Sequence, residues 1–149
     1  MNSKGAIVKQ SELDHILDQH KLWLESNGNK GKRTQLTDAN LFGANLTNAN
    51  LTNAYLYRAK LSDADLTNAN LSDAYLTGAN LSGAYLTSAN LTGACLTNAN
   101  LTGACLTDSI LNSKYMYKTK VDQFQLSWLA TDPNFCDWVD KLDMKKEAA

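Results

Sequence analysis

The chain has 149 residues, a formal net charge of −1 and a pI near 6.1, which fits one domain and gives nucleic acid or an anionic membrane no electrostatic reason to be the main partner. No apolar run approaches the ~20 residues of a membrane span. Ala6, Ile7 and Val8 fall far short of a signal-peptide core, so the expected location is the cytoplasm and the three cysteines, Cys95, Cys105 and Cys136, are expected as free thiols.

The first predicted element is a helix from about Glu12 to Asn27. Ser11 stands as N-cap with Asp14 at the capping-box position. Leu13, Ile16, Leu17, His20 and Leu24 share a stripe with Trp23 on its edge, and Gly28 follows where a left-handed C′ residue is wanted. Lys30, Lys32 and Arg33 then lie near the negative end of the helix dipole. Two patterns here suggest chemistry and fail. Gly28, Gly31 and Lys32 have the wrong spacing for a phosphate loop, and Arg33 stands where Ser or Thr is needed. His15 and His20 are five apart, about 140° round a helix, so they cannot share a metal; both are expected as helix-surface or partly covered imidazoles.

From Leu36 to Leu111 a leucine falls at every fifth position, and alanine stands two residues before it at each step from Ala39 to Ala104. A helix would wind these leucines round every side, and a long strand would alternate them between faces. They share one side only if the chain turns between units. Ala and Leu, two apart, then point inward with one residue outward between them, and the two small polar residues that follow form a corner. In this pattern the chain resembles the bacterial pentapeptide-repeat family, A(D/N)LXX, and His20 to Arg33 (HKLWLESNGNKGKR) resembles the leader before the repeats in its cyanobacterial members.

The resemblance implies an all-β solenoid, a right-handed quadrilateral β-helix with four units per turn and therefore about four coils. Three segments are expected: residues 1–33, an N-terminal capping helix and loop; 34–126, the repeat body, regular to about 113 with an irregular last coil; and 127–149, a C-terminal capping segment with a helix. Counting by four assigns outward residues to faces. Face one shows Gln35, Tyr55, Tyr75 and Cys95; face two Asn40, Lys60, Asn80 and Asn100; face three Asn45, Asp65, Tyr85 and Cys105; face four Asn50, Asn70, Asn90 and Ile110. Cys95 and Cys105 thus fall on opposite faces, too far apart for a disulfide. The face-four asparagines are expected to stack as a ladder bonding coil to coil.

Beyond the repeats the fifth-residue beat continues through Met116, Val121 and Leu126. Asp132 and Pro133 make an N-cap and N1 pair, and Phe135, Trp138, Val139 and Leu142 recur at helical spacing, predicting a helix from about Pro133 to Lys146. Its apolar face is expected to fold back over the last coil and leave a monomer. The sharper alternative is a dimer contact, because some members of the family pair through their C-terminal segments.

Catalysis needs a nucleophile or an acid and base converging in a cleft. This sequence offers a convex tower, two unrelated histidines and scattered carboxylates, so no enzyme, cofactor or metal site is expected. The leading functional reading is a protein-binding or scaffold module whose flat faces meet an unknown partner protein. The alternative implied by the resemblance is DNA mimicry directed at a type II topoisomerase such as gyrase, for which this tower is short and nearly neutral. Tyr55, Tyr57, Tyr75, Tyr115 and Tyr117 all count onto face one with Arg58 beside them, and tyrosine and arginine are enriched where proteins bind. These six residues form the candidate interaction face.

Overall fold

Each five-residue unit leaves its backbone five N–H groups to satisfy, and the way it does so sets the whole architecture. The computed structural model describes residues 5–110, 119–122 and 143–144. Three of the five N–H groups bond between levels twenty residues apart, as in Leu36 N to Tyr55 O (2.8 Å), Asp38 N to Tyr57 O (2.8 Å) and Lys60 N to Ala39 O (2.9 Å). The alanine N–H closes the turn inside its own unit, as in Ala54 N to Leu51 O (2.9 Å). The residue after the leucine donates to the outward side chain two positions back where that residue is Asn or Asp, as in Thr52 N to Asn50 Oδ1 (3.2 Å) and Thr92 N to Asn90 Oδ1 (3.0 Å). This is the Asx turn, and it is the physical reason for the Asn in the repeat.

The parallel bridges run in four columns with a twenty-residue step. Gln35, Tyr55, Tyr75 and Cys95 pair in series on face one, and the other three faces follow the counted order. Leu36 to Leu106 are all buried at every fifth position, as are the alanines between them, so the interior is a stack of leucine and alanine layers. Every corner residue from Asp38 to Asp108 has positive φ. Asn, Asp and Gly occupy most of these corners, as this backbone region demands. Arg58 (φ 52°) and Ser88 (φ 56°) are the exceptions.

The face-four asparagines do not make the expected amide ladder. The hydrogen bonds of Asn50, Asn70 and Asn90 run to the N–H and hydroxyl groups of Thr52, Ser72 and Thr92 in their own corners. The Asx turn takes the oxygen first. An amide does reach from coil to coil on face two, where Asn100 Nδ2 donates to Asn80 Oδ1 (3.2 Å).

The helix α1 spans Gln10–Glu25, two residues earlier than expected. Ser11 is inside it. Lys9 is the N-cap without a side-chain bond, and Gln10 Nε2 instead donates to Asp14 Oδ1 (2.8 Å) and to Asn45 O (2.9 Å). The start is set by tertiary pairing, because Ile7 bridges Asn40 and Val8 N donates to Asn40 O (2.8 Å). At the other end Asn27 (φ 51°) is the C′ residue and Gly28 lies one further on. Gly28 N donates to Trp23 O (2.8 Å) and Asn27 N to Leu24 O (3.2 Å), a Schellman motif.

The stripe of α1 lies against the first coil: Leu13 and His20 are buried, and Ile16 and Leu17 pack on the core. His20 is thus fully covered, where a surface or partly covered ring was expected. Thr34 N donates to its Nδ1 (3.1 Å), so the neutral ring carries its proton on Nε2, which donates to Thr52 O (3.0 Å). Burial holds the His20 pKa below its ordinary 6.5; the Thr52 carbonyl opposes this and the Arg33 charge adds to it. With the folded pKa depressed, the unfolded chain takes up the proton first as pH falls. Stability should therefore be level above about pH 7 and decline below about pH 6.5, until the folded-state pKa is reached. Urea unfolding from about pH 8 to about pH 5 checks this; His20→Gln should flatten the decline, and an unchanged profile would remove His20 as its cause.

At the far end the fivefold phase persists where it is described. Thr119 and Val121, in the alanine and leucine positions, are buried, and Thr119 Oγ1 donates to Leu96 O (2.6 Å). Strand β1 (Lys120–Val121) continues the face-two column from Asn100 and pairs in parallel with β2 (Asp143–Met144). The helix expected to reach Lys146 therefore does not include Asp143 and Met144. A column that ends in open N–H and C=O groups recruits a strand, and that pairing overrides the helical spacing here. The remainder of the expected C-terminal helix, with Met116, Leu126 and Cys136, lies outside the described residues.

Candidate functional site

Counting by twenty puts tyrosines on one face; the structure brings three of them into contact. The Tyr55 and Tyr75 rings lie 5.1 Å apart between centroids and tilted by 45°, Tyr55 and Tyr57 5.9 Å apart and stacked, and Tyr57 and Tyr75 5.5 Å apart. All three are half-buried. Burial, with Tyr75, Cys95 and Tyr55 nearby, pushes the Tyr57 hydroxyl above its ordinary 10.0, so this phenol is neutral near pH 7. Offset and tilted pairs of this kind suit the ring quadrupoles.

The sequence reading missed Arg33. Its guanidinium stands 3.8 Å from the Tyr55 ring centroid, 5.3 Å from that of Tyr75 and 5.5 Å from that of Trp23. Its Nη1 donates to the Tyr55 hydroxyl (2.7 Å) and its Nε to Asn53 O (2.6 Å). Arg33 thus ties the α1 segment to face one by cation–π and hydrogen bonding together. The available signal was its repeat phase, since it stands twenty residues before Asn53 in the same corner position.

Arg58, placed in the candidate face by sequence, is turned to another task. Its Nε and Nη2 reach both oxygens of Asp38, one coil earlier, at 2.7 Å each. That fork accompanies its left-handed backbone. Tyr115 and Tyr117 lie outside the described residues. The described part of the face is therefore Tyr55, Tyr57 and Tyr75 under Arg33, with Arg58 paired to one side.

Cys95 and Cys105 are free thiols on opposite faces. Cys105 is exposed, and hydrogen bonds with the Thr87 and Thr107 hydroxyls lower its pKa. Among the described residues no group of His, Cys, Asp and Glu could hold a metal ion, and no helix is long and apolar enough to cross a membrane.

A family profile described as pentapeptide repeats (8 copies) matches residues 34–73 and 69–108. No curated protein matches the chain significantly. Among solved structures, the chain is similar to HetL, a pentapeptide repeat protein involved in heterocyst differentiation regulation from the cyanobacterium Nostoc sp. strain PCC 7120. The two are 40% identical over 61% of this chain and 41% of HetL, with a TM-score of 0.57. It is equally similar to Rfr23, a pentapeptide repeat protein from the cyanobacterium Cyanothece 51142, at 40% identity over 62% of this chain and 67% of Rfr23, with a TM-score of 0.57. The matched part thus spans well under half the length of HetL. Such proteins form right-handed quadrilateral β-helices, and the fivefold interior, the twenty-residue columns and the matched profile together place this chain in the pentapeptide-repeat family.

Proposed function

We propose that this protein is a non-enzymatic binding module that meets another protein through face one. The observation that supports this most is the tyrosine cluster under Arg33. It stands where the repeat's own preference is set aside. An Asn at 55 or 75 would accept the N–H of the residue two further on, a bond worth about 0.5 to 1.5 kcal/mol, and Tyr forgoes it. Half-exposed aromatic rings beside an arginine are what interface centres favour. The same proposal makes the tower about four regular coils, with α1 as the end cap that keeps the first coil from pairing with a second tower.

Replacing both Tyr55 and Tyr75 by Thr, which a strand surface tolerates well, should leave the fold intact by circular dichroism. It should abolish co-purification of the partner that the wild-type protein captures from its native cells. Undiminished capture by the folded double variant would move the site to another face. A gyrase supercoiling assay with the purified protein separates this reading from DNA mimicry: inhibition at low micromolar concentration would reverse the order of the two.

A further inference from the structure

Where α1 meets the beginning of face one, a recess of about 290 Å³ is lined by His15, Ile16 and Gln19 from the helix and by Lys32, Arg33 and Gln35 from the chain entering the first coil. Among the described residues, a lysine, an arginine, an imidazole and two amides line it, and no carboxylate does. In a chain of net charge −1 that is a local concentration of one sign.

The recess is held in shape before any ligand arrives. Lys32 N donates to Gln19 O (3.0 Å). Gly31 (φ 68°) is pressed against Gln19 O, Leu22 Cβ and Trp23 N so closely that a side chain there would force the loop off the helix. Arg33 is fixed by Asn53 O, the Tyr55 hydroxyl and the Tyr55 ring. A guanidinium immobilised in this way gives up little conformational freedom when it binds. Ile16 supplies an apolar wall.

We propose that this recess binds a small organic oxyanion, a phosphate monoester or a polycarboxylate, through Lys32, Arg33 and His15, with Gln19 and Gln35 as hydrogen-bonding groups. The site works through side chains and has no part in a glycine-loop mechanism. It shares Arg33 with the tyrosine cluster, while Tyr55, Tyr57 and Tyr75 do not line it. Glu12, one helical turn back from His15 and Ile16 on α1, carries an opposing charge on that stripe.

The test is a titration of the full-length protein with inorganic phosphate, glycerol 3-phosphate and citrate at constant ionic strength, followed by amide nuclear magnetic resonance shifts. Saturable shifts confined to residues 15–19 and 31–35, complete by about 10 mM, are expected for at least one organic probe. Lys32→Gln should weaken that binding about threefold to fivefold, and Glu12→Gln should strengthen it about twofold, because each changes a single exposed charge near the anion. Both side chains are exposed, so both variants should fold. Inorganic phosphate alone saturating would mean an adventitious ion only and would overturn the proposal. So would shifts that never saturate, or affinities indifferent to both substitutions.

Discussion

Leu76→Ala is expected to lower the unfolding free energy by about 2 to 5 kcal/mol, through lost burial and the cavity left behind. Leu76 is fully buried, and Leu56 and Leu96, its equivalents one level below and one above, are fully buried as well. Neither neighbour can collapse into the gap without pulling on its own coil, because the backbone bonds hold the levels in place: Leu56 N to Tyr75 O at 2.9 Å and Leu76 N to Cys95 O at 2.9 Å. Asn80→Ser is the control. It removes an outward amide that bonds to Ser82 N and Asn100 Nδ2, all partly in contact with water, and should cost no more than about 1 kcal/mol. Chemical unfolding of the two variants beside the wild type decides the matter; equal losses would show that inward and outward positions are not energetically distinct.

Deleting residues 1–33 is expected to be the most damaging change of all. Leu13 alone, fully buried, contributes about 1.5 to 3 kcal/mol. The same deletion removes the Val8 bond to Asn40, the His20 bonds to Thr34 and Thr52, and the Arg33 contacts with Asn53 and Tyr55. The first coil would then present open backbone groups and the undersides of Leu36, Leu41, Leu46 and Leu51. The truncated protein should melt well below the full chain and aggregate, while keeping a β-rich circular dichroism spectrum. A monomer as heat-stable as the full chain would make α1 an appendage.

The interior is legible in the sequence because it rests on one covalent periodicity. Leucine and alanine in fixed phase leave few ways to hide every leucine, and the corners carry Asn, Asp and Gly where positive φ requires them. Arg58 and Ser88 break that rule, and nothing local announces it. The tyrosine column follows from counting by twenty, since the partners lie on one periodic lattice. Contacts between the lattice and the flanking chain are of another kind. The burial of His20 and the place of Arg33 depend on where α1 crosses the first coil, and helical spacing says which stripe is buried without saying on what. The far end shows the same limit: the spacing from Phe135 to Leu142 favours a helix, and the pairing of Asp143–Met144 with Lys120–Val121 is decided by an edge that exists only in the folded tower.

The twenty-residue columns also constrain how the gene can change length. A tandem duplication or loss of twenty residues leaves every outward side chain on its own side, whereas a gain of five, ten or fifteen turns everything beyond it by one, two or three quarter-turns. An insertion of ten between Tyr55 and Tyr75 would put those rings on opposite sides. Near-identical units such as LTNAN at 46–50, 66–70 and 96–100 are the substrate that unequal recombination needs. The heptapeptide LTGACLT occurs at 91–97 and again at 101–107, displaced by ten residues. That is what a half-coil duplication leaves behind, and it accounts for two cysteines in identical local sequence that the columns carry on opposite sides of the tower.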